Sequence, residues 1–506
     1  MKYLVTAAEM KRYDKNTIER TGIPGMVLME RAALAAFEVI EARFGDRDRC
    51  DKRVLIAVGT GNNGGDGLAL ARLLSEADYD VEVWGIATGP KDVDRASVQW
   101  KEQMQILTHY SVNIGGKPLR TEYNIIVDAL FGVGLSREVT GDHARAIEFC
   151  NERKGFKLAI DMPSGIHSDT GEVLGCAFRA DVTVTFGFVK RGLKFYPGCS
   201  FAGEVICADV GITERSFYGE LPQMYYYDES VAELLPRRDP AGNKGTFGKV
   251  LLVAGSYNMA GAAVLSARAA YRAGAGMVKV LTHRENRVVL QESVPEALLG
   301  TWEDLEESVR WADVIGIGPG LGVSDEAKGI LWQVIFETDL PLLLDADALN
   351  LLSGDEGLRK ELSRQGAQGR SVILTPHVGE LSRLTDRDIS ELKKELPAQA
   401  LKLAEELYAI LVAKDVRTFI CAEGRAVCVN LAGNSGMATA GSGDVLAGVI
   451  CGLLAQGMEP FAAASVGVYL HACAGDAAAQ NKGEHGCMAM DIAEAVGCCH
   501  NTGGQK

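Results

Sequence analysis

No pair among the twelve cysteines stands at C-x-x-C spacing, and only Cys498 and Cys499 are adjacent, near a polar C-terminus. Such scatter points to a reduced, cytoplasmic chain. Positive charge is in short supply. Lysine and arginine number 52 against 67 aspartates and glutamates, and a net charge of −15 argues against nucleic acid or an anionic membrane as the main partner. Any phosphate must then be held by local glycine loops. The opening residues 1–15 contain no apolar core of the length a secretory signal needs. Long apolar runs are also missing: only residues 445–475 come close, and Gln456, Glu459, Pro460 and His471 interrupt them before ~20 apolar residues accumulate. Two buried helices are expected there. What remains is ordinary globular composition, 47% hydrophobic and 24% charged over 506 residues, long enough for two to four domains.

The most informative stretch is residues 433–448, G-N-S-G-M-A-T-A-G-S-G-D-V-L-A-G. Gly441, Ser442 and Gly443 let backbone approach a ligand closely, and amides ahead of a helix point at an anion. Asp444 stands at the helix start. Val445, Leu446, Val449, Ile450, Leu453 and Leu454 follow at helical spacing. A phosphoryl group held by those amides would lie beside a carboxylate, which suits phosphoryl transfer with the acid as base for an attacking hydroxyl. An aspartate that merely caps its helix is the alternative. The whole string resembles the ribokinase-like superfamily, in which a G-x-G-D acid activates the acceptor hydroxyl.

In the first half, residues 7–43 read as two helices broken at Gly22, Ile23, Pro24 and Gly25. The apolar run 54–59 then leads into a glycine loop over 59–67, with a helical pattern over 68–74. Further apolar runs at 81–87, 124–130, 158–160, 182–186 and 205–208 alternate with helix-length segments, so a parallel sheet covered by helices is expected. Three strand ends carry polar or glycine motifs, at 62–66, 128–137 and 161–165, and their loops can converge on one crevice. Neither G-x-x-x-x-G-K-[ST] nor G-x-G-x-x-G explains the first loop. The donors offered are oxygens, so any metal should be a hard cation.

The strings T-A-A-E-M, G-I-P, L-M-E, G-N-N-G-G-D-G, V-D-A-L-F-G-V-G-L-S-R and D-M-P-S-G resemble the NAD(P)HX epimerase family, which interconverts the R and S forms of hydrated NADH and NADPH. The resemblance implies that Asn62, Asn63, Gly64, Gly65 and Asp66, together with Gly132, Val133, Gly134, Leu135, Ser136, Arg137 and Glu138, contact the hydrated cofactor. It puts Asp161 by the damaged ring as the proton-transferring acid, and a potassium ion at Asn63, Asp128 and Ser164.

A linker is expected over 216–236, between domains at 1–216 and 237–506. Alternation then resumes with strands expected at 249–254, 277–281, 314–317, 342–344, 372–374 and 419–422, and a small-residue helix over 261–273. Their polar ends, G-P-G-L-G, D-A-D-A-L-N and T-P-H-V-G-E, resemble the carbohydrate-kinase-like NAD(P)H-hydrate dehydratase family. That resemblance implies that Ala262, Gly320, His377 and Asp444 contact the hydrated substrate. It implies a nucleotide site at Lys414, Asp415, Val416, Arg417, Thr418 and Gly443. Magnesium would bridge the phosphates of ADP or ATP, with Glu380 orienting it through water. Two departures stand out: Lys414-Asp415 replaces the family's Lys-Gly, and Asn243 replaces a histidine.

The expected architecture is therefore α/β with two doubly wound domains, a Rossmann-like epimerase domain followed by a ribokinase-like αβα domain. The expected partners are hydrated NADH and NADPH with ADP or ATP, in a cytoplasmic homo-oligomer that binds neither nucleic acid nor membrane. A thiazole- or pyrimidine-type kinase shares the G-x-G-D acid, but the first-half motifs disfavour it. Retention of both Asp161 and Asp444 disfavours a binding module without catalysis.

Overall fold

The computed structural model describes residues 1–86 and 93–499, so Ala87 of the run expected over 81–87 and the chain end 500–506 lie outside the described residues. The chain divides into two compact units, Tyr3–Gln223 and Met224–Lys506, the latter together with Met1–Lys2. The joint thus falls inside the segment 216–236. The tyrosine-rich part of that segment is not all linker. Met224–Tyr226 forms a strand that pairs in parallel with Val427–Asn430, with Met224 and Tyr225 buried. A three-residue strand is too short to show a period.

In the first unit seven parallel strands run in the order Asn113–Gly115, Asp80–Gly85, Arg53–Val58, Ile125–Ala129, Phe156–Ile160, Val182–Phe186, Glu204–Ala208. Alternate residues of the central strand face opposite cores: Val54, Ile56 and Val58 pack with Leu68 and Leu70, and Leu55 and Ala57 with Ile126 and Ile147. The chain leaves Arg53–Val58 towards one edge and returns on its other side, so these strands border a topological switch point, where α/β sheets bind ligands. The two expected N-terminal helices are Ala7–Asn16, started by a Thr6–Glu9 capping box, and Gly25–Phe44, with a π-helical turn Thr17–Thr21 and the left-handed Gly22 between them. One expectation is corrected. The helix expected from residue 68 begins at Asn62, so most of the glycine stretch is helical and only Gly59, Thr60 and Gly61 form a loop. Tertiary packing overrides glycine's poor helix propensity there, because a Cβ on Gly65 would lie 2.6 Å from the Met29 methyl and one on Gly67 2.6 Å from the Ala129 methyl.

The sheet of the second unit runs Leu298–Gly300, Met277–Leu281, Lys249–Val253, Val314–Ile317, Leu342–Leu344, Val372–Leu374, Ile410–Ala413, Thr418–Cys421, Val427–Asn430, Met224–Tyr226. It is parallel through Ile410–Ala413, then antiparallel through the next two strands. The switch point of this sheet lies between Lys249–Val253 and Val314–Ile317. The expected apolar helices are Ser442–Ala455 and Pro460–Lys482; among the described residues no helix is long and apolar enough to cross a membrane. None of the twelve cysteines forms a disulfide.

Helix Ser442–Ala455 packs closely on Ala260–Arg272, because Gly448 and Gly452 face Ala269 and Ala273 without a side chain between. A Cβ at Gly448 would lie 2.2 Å from the Ser266 carbonyl oxygen, so the backbones themselves must separate. Replacing Gly448 with Ala should therefore destabilise this unit by about 1–3 kcal/mol, despite alanine's better helix propensity. Denaturant unfolding of the full chain checks this, with a lower midpoint expected.

Candidate active sites

The first site is a cavity of about 840 Å³ in the first unit. Its walls come from the strand ends at the switch point, the start of helix Asn62–Glu76 and the two N-terminal helices. Of the residues implied by sequence, Asn62, Asn63, Asp66, Gly132, Val133, Gly134, Leu135, Ser136, Arg137 and Asp161 line it. Gly64, Gly65 and Glu138 do not line it. Gly64 and Gly65 face the Gly59 carbonyl and the Met29 side chain, so they serve close packing, and the Glu138 side chain is exposed to solvent. The amides at the start of the helix have no partner in the preceding turn and stand at the cavity wall, which favours an anionic ligand group.

Asp161 occupies a left-handed backbone conformation, φ 64°, at the end of its strand. Its Oδ1 accepts hydrogen bonds from Lys190 Nζ at 2.6 Å and Thr185 Oγ1 at 3.3 Å. Lys190 is almost wholly buried and also donates to the Thr185 hydroxyl and the Phe186 carbonyl. Sequence reasoning missed it, since a lysine in V-K-R-G reads as surface. Asp14, on the first helix, and Asp66 share the cavity with this pair. Desolvation, with the Asp161 and Asp14 charges nearby, pushes the Asp66 carboxyl well above the usual carboxylate range.

Behind the wall, Asp128 is buried. Its carboxylate accepts from the Ser164 hydroxyl at 2.6 Å, the Ser164 amide at 2.7 Å and the Leu130 amide at 3.2 Å, while burial pushes it up to about 6. Asn63 is the exception to satisfied polarity: its amide oxygen and nitrogen are both buried and neither has a partner. An orphaned buried amide costs ~1–3 kcal/mol unless something meets it.

The second site forms at the carboxyl ends of the second unit's strands. Gly320 sits against Ala262, where a Cβ would lie 2.9 Å from the alanine methyl. The Gly322 amide donates to Asp347 at 2.8 Å, and Asp347 in turn stands close enough to raise the proton affinity of Asp444. Asp444 is the third residue of helix Ser442–Ala455 and makes no capping hydrogen bond, which removes the structural alternative for it. Burial and the charge of Asp345 push it up to about 7, against the opposing pull of Lys414. The Ser442 amide is taken by the Thr439 carbonyl at 3.3 Å, so Gly443 and Asp444 carry the forward-pointing amides. Ser442 instead meets His471 through its hydroxyl, at 3.2 Å.

Lys414 ends strand Ile410–Ala413, and its Nζ contacts Asp345 Oδ1 at 2.9 Å. The other carboxylate oxygen of Asp345 faces Gly443: a Cβ there would lie 3.8 Å from Oδ2 and 3.2 Å from Lys414 Nζ. His377 is brought beside Lys414 by a short parallel bridge, and the Lys414 amide donates to the Pro376 carbonyl. The His377 ring caps its own helix, Val378–Thr385, accepting from the Gly379 and Glu380 amides. Glu380 is buried, and desolvation pushes it up to about 7. The remaining nucleotide-loop residues form the turn into strand Thr418–Cys421. There Val416 is exposed, Arg417 donates to the Leu431 carbonyl, and Asp415 lies 3.9 Å from Lys393. The extra carboxylate thus has a cation of its own. Asn243 closes a local turn on the Gly245 amide.

Among known proteins, the family model described as YjeF-related protein N-terminus matches residues 25–192, and that described as NAD(P)H-hydrate dehydratase matches residues 250–497. A bifunctional NAD(P)H-hydrate repair enzyme Nnr from Moorella thermoacetica is 36% identical, covering 97% of this chain and 95% of its own. Another from Coxiella burnetii is 38% identical, over 97% and 98% of the two chains. A solved ADP/ATP-dependent NAD(P)H-hydrate dehydratase from Bacillus subtilis, co-crystallised with ATP and Mg2+, is 29% identical over 54% of this chain and 96% of that one, with a TM-score of 0.48. Similarity at this level along nearly its whole length means that the chain belongs to the family of bifunctional NAD(P)H-hydrate repair enzymes.

Proposed function

We propose that the first unit epimerises the R and S forms of hydrated NADH and NADPH, and that the second dehydrates the S form at the expense of ADP or ATP. The observation that carries the second half is Asp444, a half-buried carboxylate free of any capping role beside the Gly443 amide and the Lys414 ammonium. Asp444 takes the proton of the ring hydroxyl as its oxygen attacks the terminal phosphoryl group. AMP or ADP leaves. The phosphate ester then departs as inorganic phosphate, and loss of the neighbouring ring proton restores the nicotinamide double bond. The Gly443 and Asp444 amides and the ammonium stabilise charge on the moving group. A magnesium ion, when bound with the nucleotide, would neutralise phosphate charge. The donors fit an ion held mainly by phosphate oxygens, because no group of three His, Cys, Asp or Glu side chains gathers among the described residues. Glu380 is the carboxylate placed to orient it through water.

In the first unit, Asp161 is the acid for proton transfer at the epimerised centre, oriented by Lys190 and Thr185. Potassium fits the site behind the wall. The unpartnered Asn63 amide, the Ser164 hydroxyl and the Asp128 carboxylate supply oxygens and a single negative charge, a donor set for a weakly charged hard cation. Its role would be to hold the strand-end loops in place. We place the enzyme in the cytoplasm as a homo-oligomer; the absence of any disulfide among the twelve cysteines supports the compartment.

Three outcomes test this reading. Asp444→Asn should abolish nucleotide-dependent recovery of reduced-nicotinamide absorbance while epimerisation persists, and wild-type kcat for dehydration should fall on acidification through about pH 7, as Asp444 gains a proton. Equal loss of both activities in that variant would contradict two separate sites. Exchanging potassium for lithium should slow epimerisation and leave dehydration unchanged. Lys190→Met should cost the first unit about 3 kcal/mol in denaturant unfolding, since it strands the Asp161 charge, and adding Asp161→Asn should restore most of it.

A further inference from the structure

Asp345 has no role in the reaction as derived above. It ends strand Leu342–Leu344, its side chain is almost wholly buried, and Ala346 beside it is held at φ 49°. Its Oδ1 accepts from Lys414 Nζ at 2.9 Å and from the Thr375 hydroxyl at 2.7 Å. Its Oδ2 faces the start of the Asp444 helix, 3.8 Å from where a Gly443 Cβ would stand. Two acids therefore compete for one ammonium: Asp345 holds it, and Asp444 lies within electrostatic reach.

We propose that Asp345 is a positioning residue for dehydration, clamping the Lys414 ammonium beside Gly443, where the phosphoryl group would lie, and keeping it from pairing with Asp444. This rests on the dehydration reading of the site. A lysine free to choose would neutralise the base. Held by Asp345, it attracts the phosphate and leaves the Asp444 carboxylate available to the hydroxyl. Thr375, from the next strand, fixes the carboxylate so that the ammonium is presented from one side only.

The charges around the pair agree. Asp444 is faced by Asp345 and Asp347, which raise its proton affinity, and by Lys414, which lowers it. Lys414 is faced by Asp345, Glu380 and Asp444. His377, near Lys414, Arg383 and Asp345, and His471, buried near Lys414, are both lowered and stand neutral around pH 7.

The test is the pH dependence of kcat for nucleotide-dependent dehydration in the full chain, with epimerisation and cooperative unfolding as checks on folding. In Asp345→Asn the like charge is gone and Lys414 is released, and both effects favour ionised Asp444. The acid limb should move about one unit to lower pH while kcat falls about tenfold or more, with a smaller change in KM for ADP. Lys414→Met should move the limb the opposite way. Should the single Asp345 variant not fold, Asp345→Asn combined with Lys414→Met removes both buried charges together, and its limb should lie below that of Lys414→Met alone. A limb that stays in place whenever Asp345 is replaced, in an active enzyme, overturns the clamp and leaves the dehydration reading intact. A wild-type chain that releases no reduced nicotinamide from its hydrate overturns both.

Discussion

Each unit sets a lysine, wholly buried in the first and partly buried in the second, against an aspartate at the carboxyl end of a parallel strand, and under the proposed function the chemistry of both sites depends on that pair. In the first, Lys190 meets Asp161 at 2.6 Å; in the second, Lys414 meets Asp345 at 2.9 Å. Taking an ammonium and a carboxylate out of water is unfavourable by several kcal/mol per ion, and their attraction repays it only with good geometry and further hydrogen bonds. Both pairs have those bonds, from Thr185 and Phe186 in one unit and from Thr375 in the other. A pair serving stability alone could be replaced by apolar side chains. Under the proposed function each fixes a charge where a group would react.

Around these pairs both units use the same second device, a helix whose first turn holds glycine and brings free amides to the candidate site. The carboxylate is delivered differently. In the first unit Asp161 comes from a strand two places along the sheet from the one that feeds the helix. In the second, Asp444 rides on the helix itself, so amides and base move as one rigid piece. Proton transfer at an epimerised centre needs an acid–base group set by its neighbours, whereas phosphoryl transfer needs the base and the charge-stabilising donors in fixed register.

The two activities are chemically complementary. A dehydratase that accepts only the S hydrate would leave the R form behind, and an epimerase keeps converting one into the other. The side chains proposed for each lie within one unit: Asp161, Lys190 and Asp66 in the first, Asp444, Lys414 and Asp345 in the second.

Much of this was legible in the sequence, because it depended on local pattern. The alternation of apolar runs with helix-length segments placed most strands to within a residue or two, and the G-S-G-D string located a helix start and its acid. Short strands such as Met224–Tyr226, Leu298–Gly300 and Ile410–Ala413 were missed. The start of helix Asn62–Glu76 was misjudged because propensity is local, while the contacts of Gly65 with Met29 and of Gly67 with Ala129 are not. The fold class, the glycine-rich phosphate elements and the two acids are properties of short segments, and the sequence determined them alone. Which lysine meets which aspartate, that Glu380 is buried, that Asp415 turns to Lys393 and that Asn63 is left without a partner were decided only by tertiary structure. Those facts join residues far apart in the chain, and burial and charge–charge energies exist only once the sheet order has brought them together.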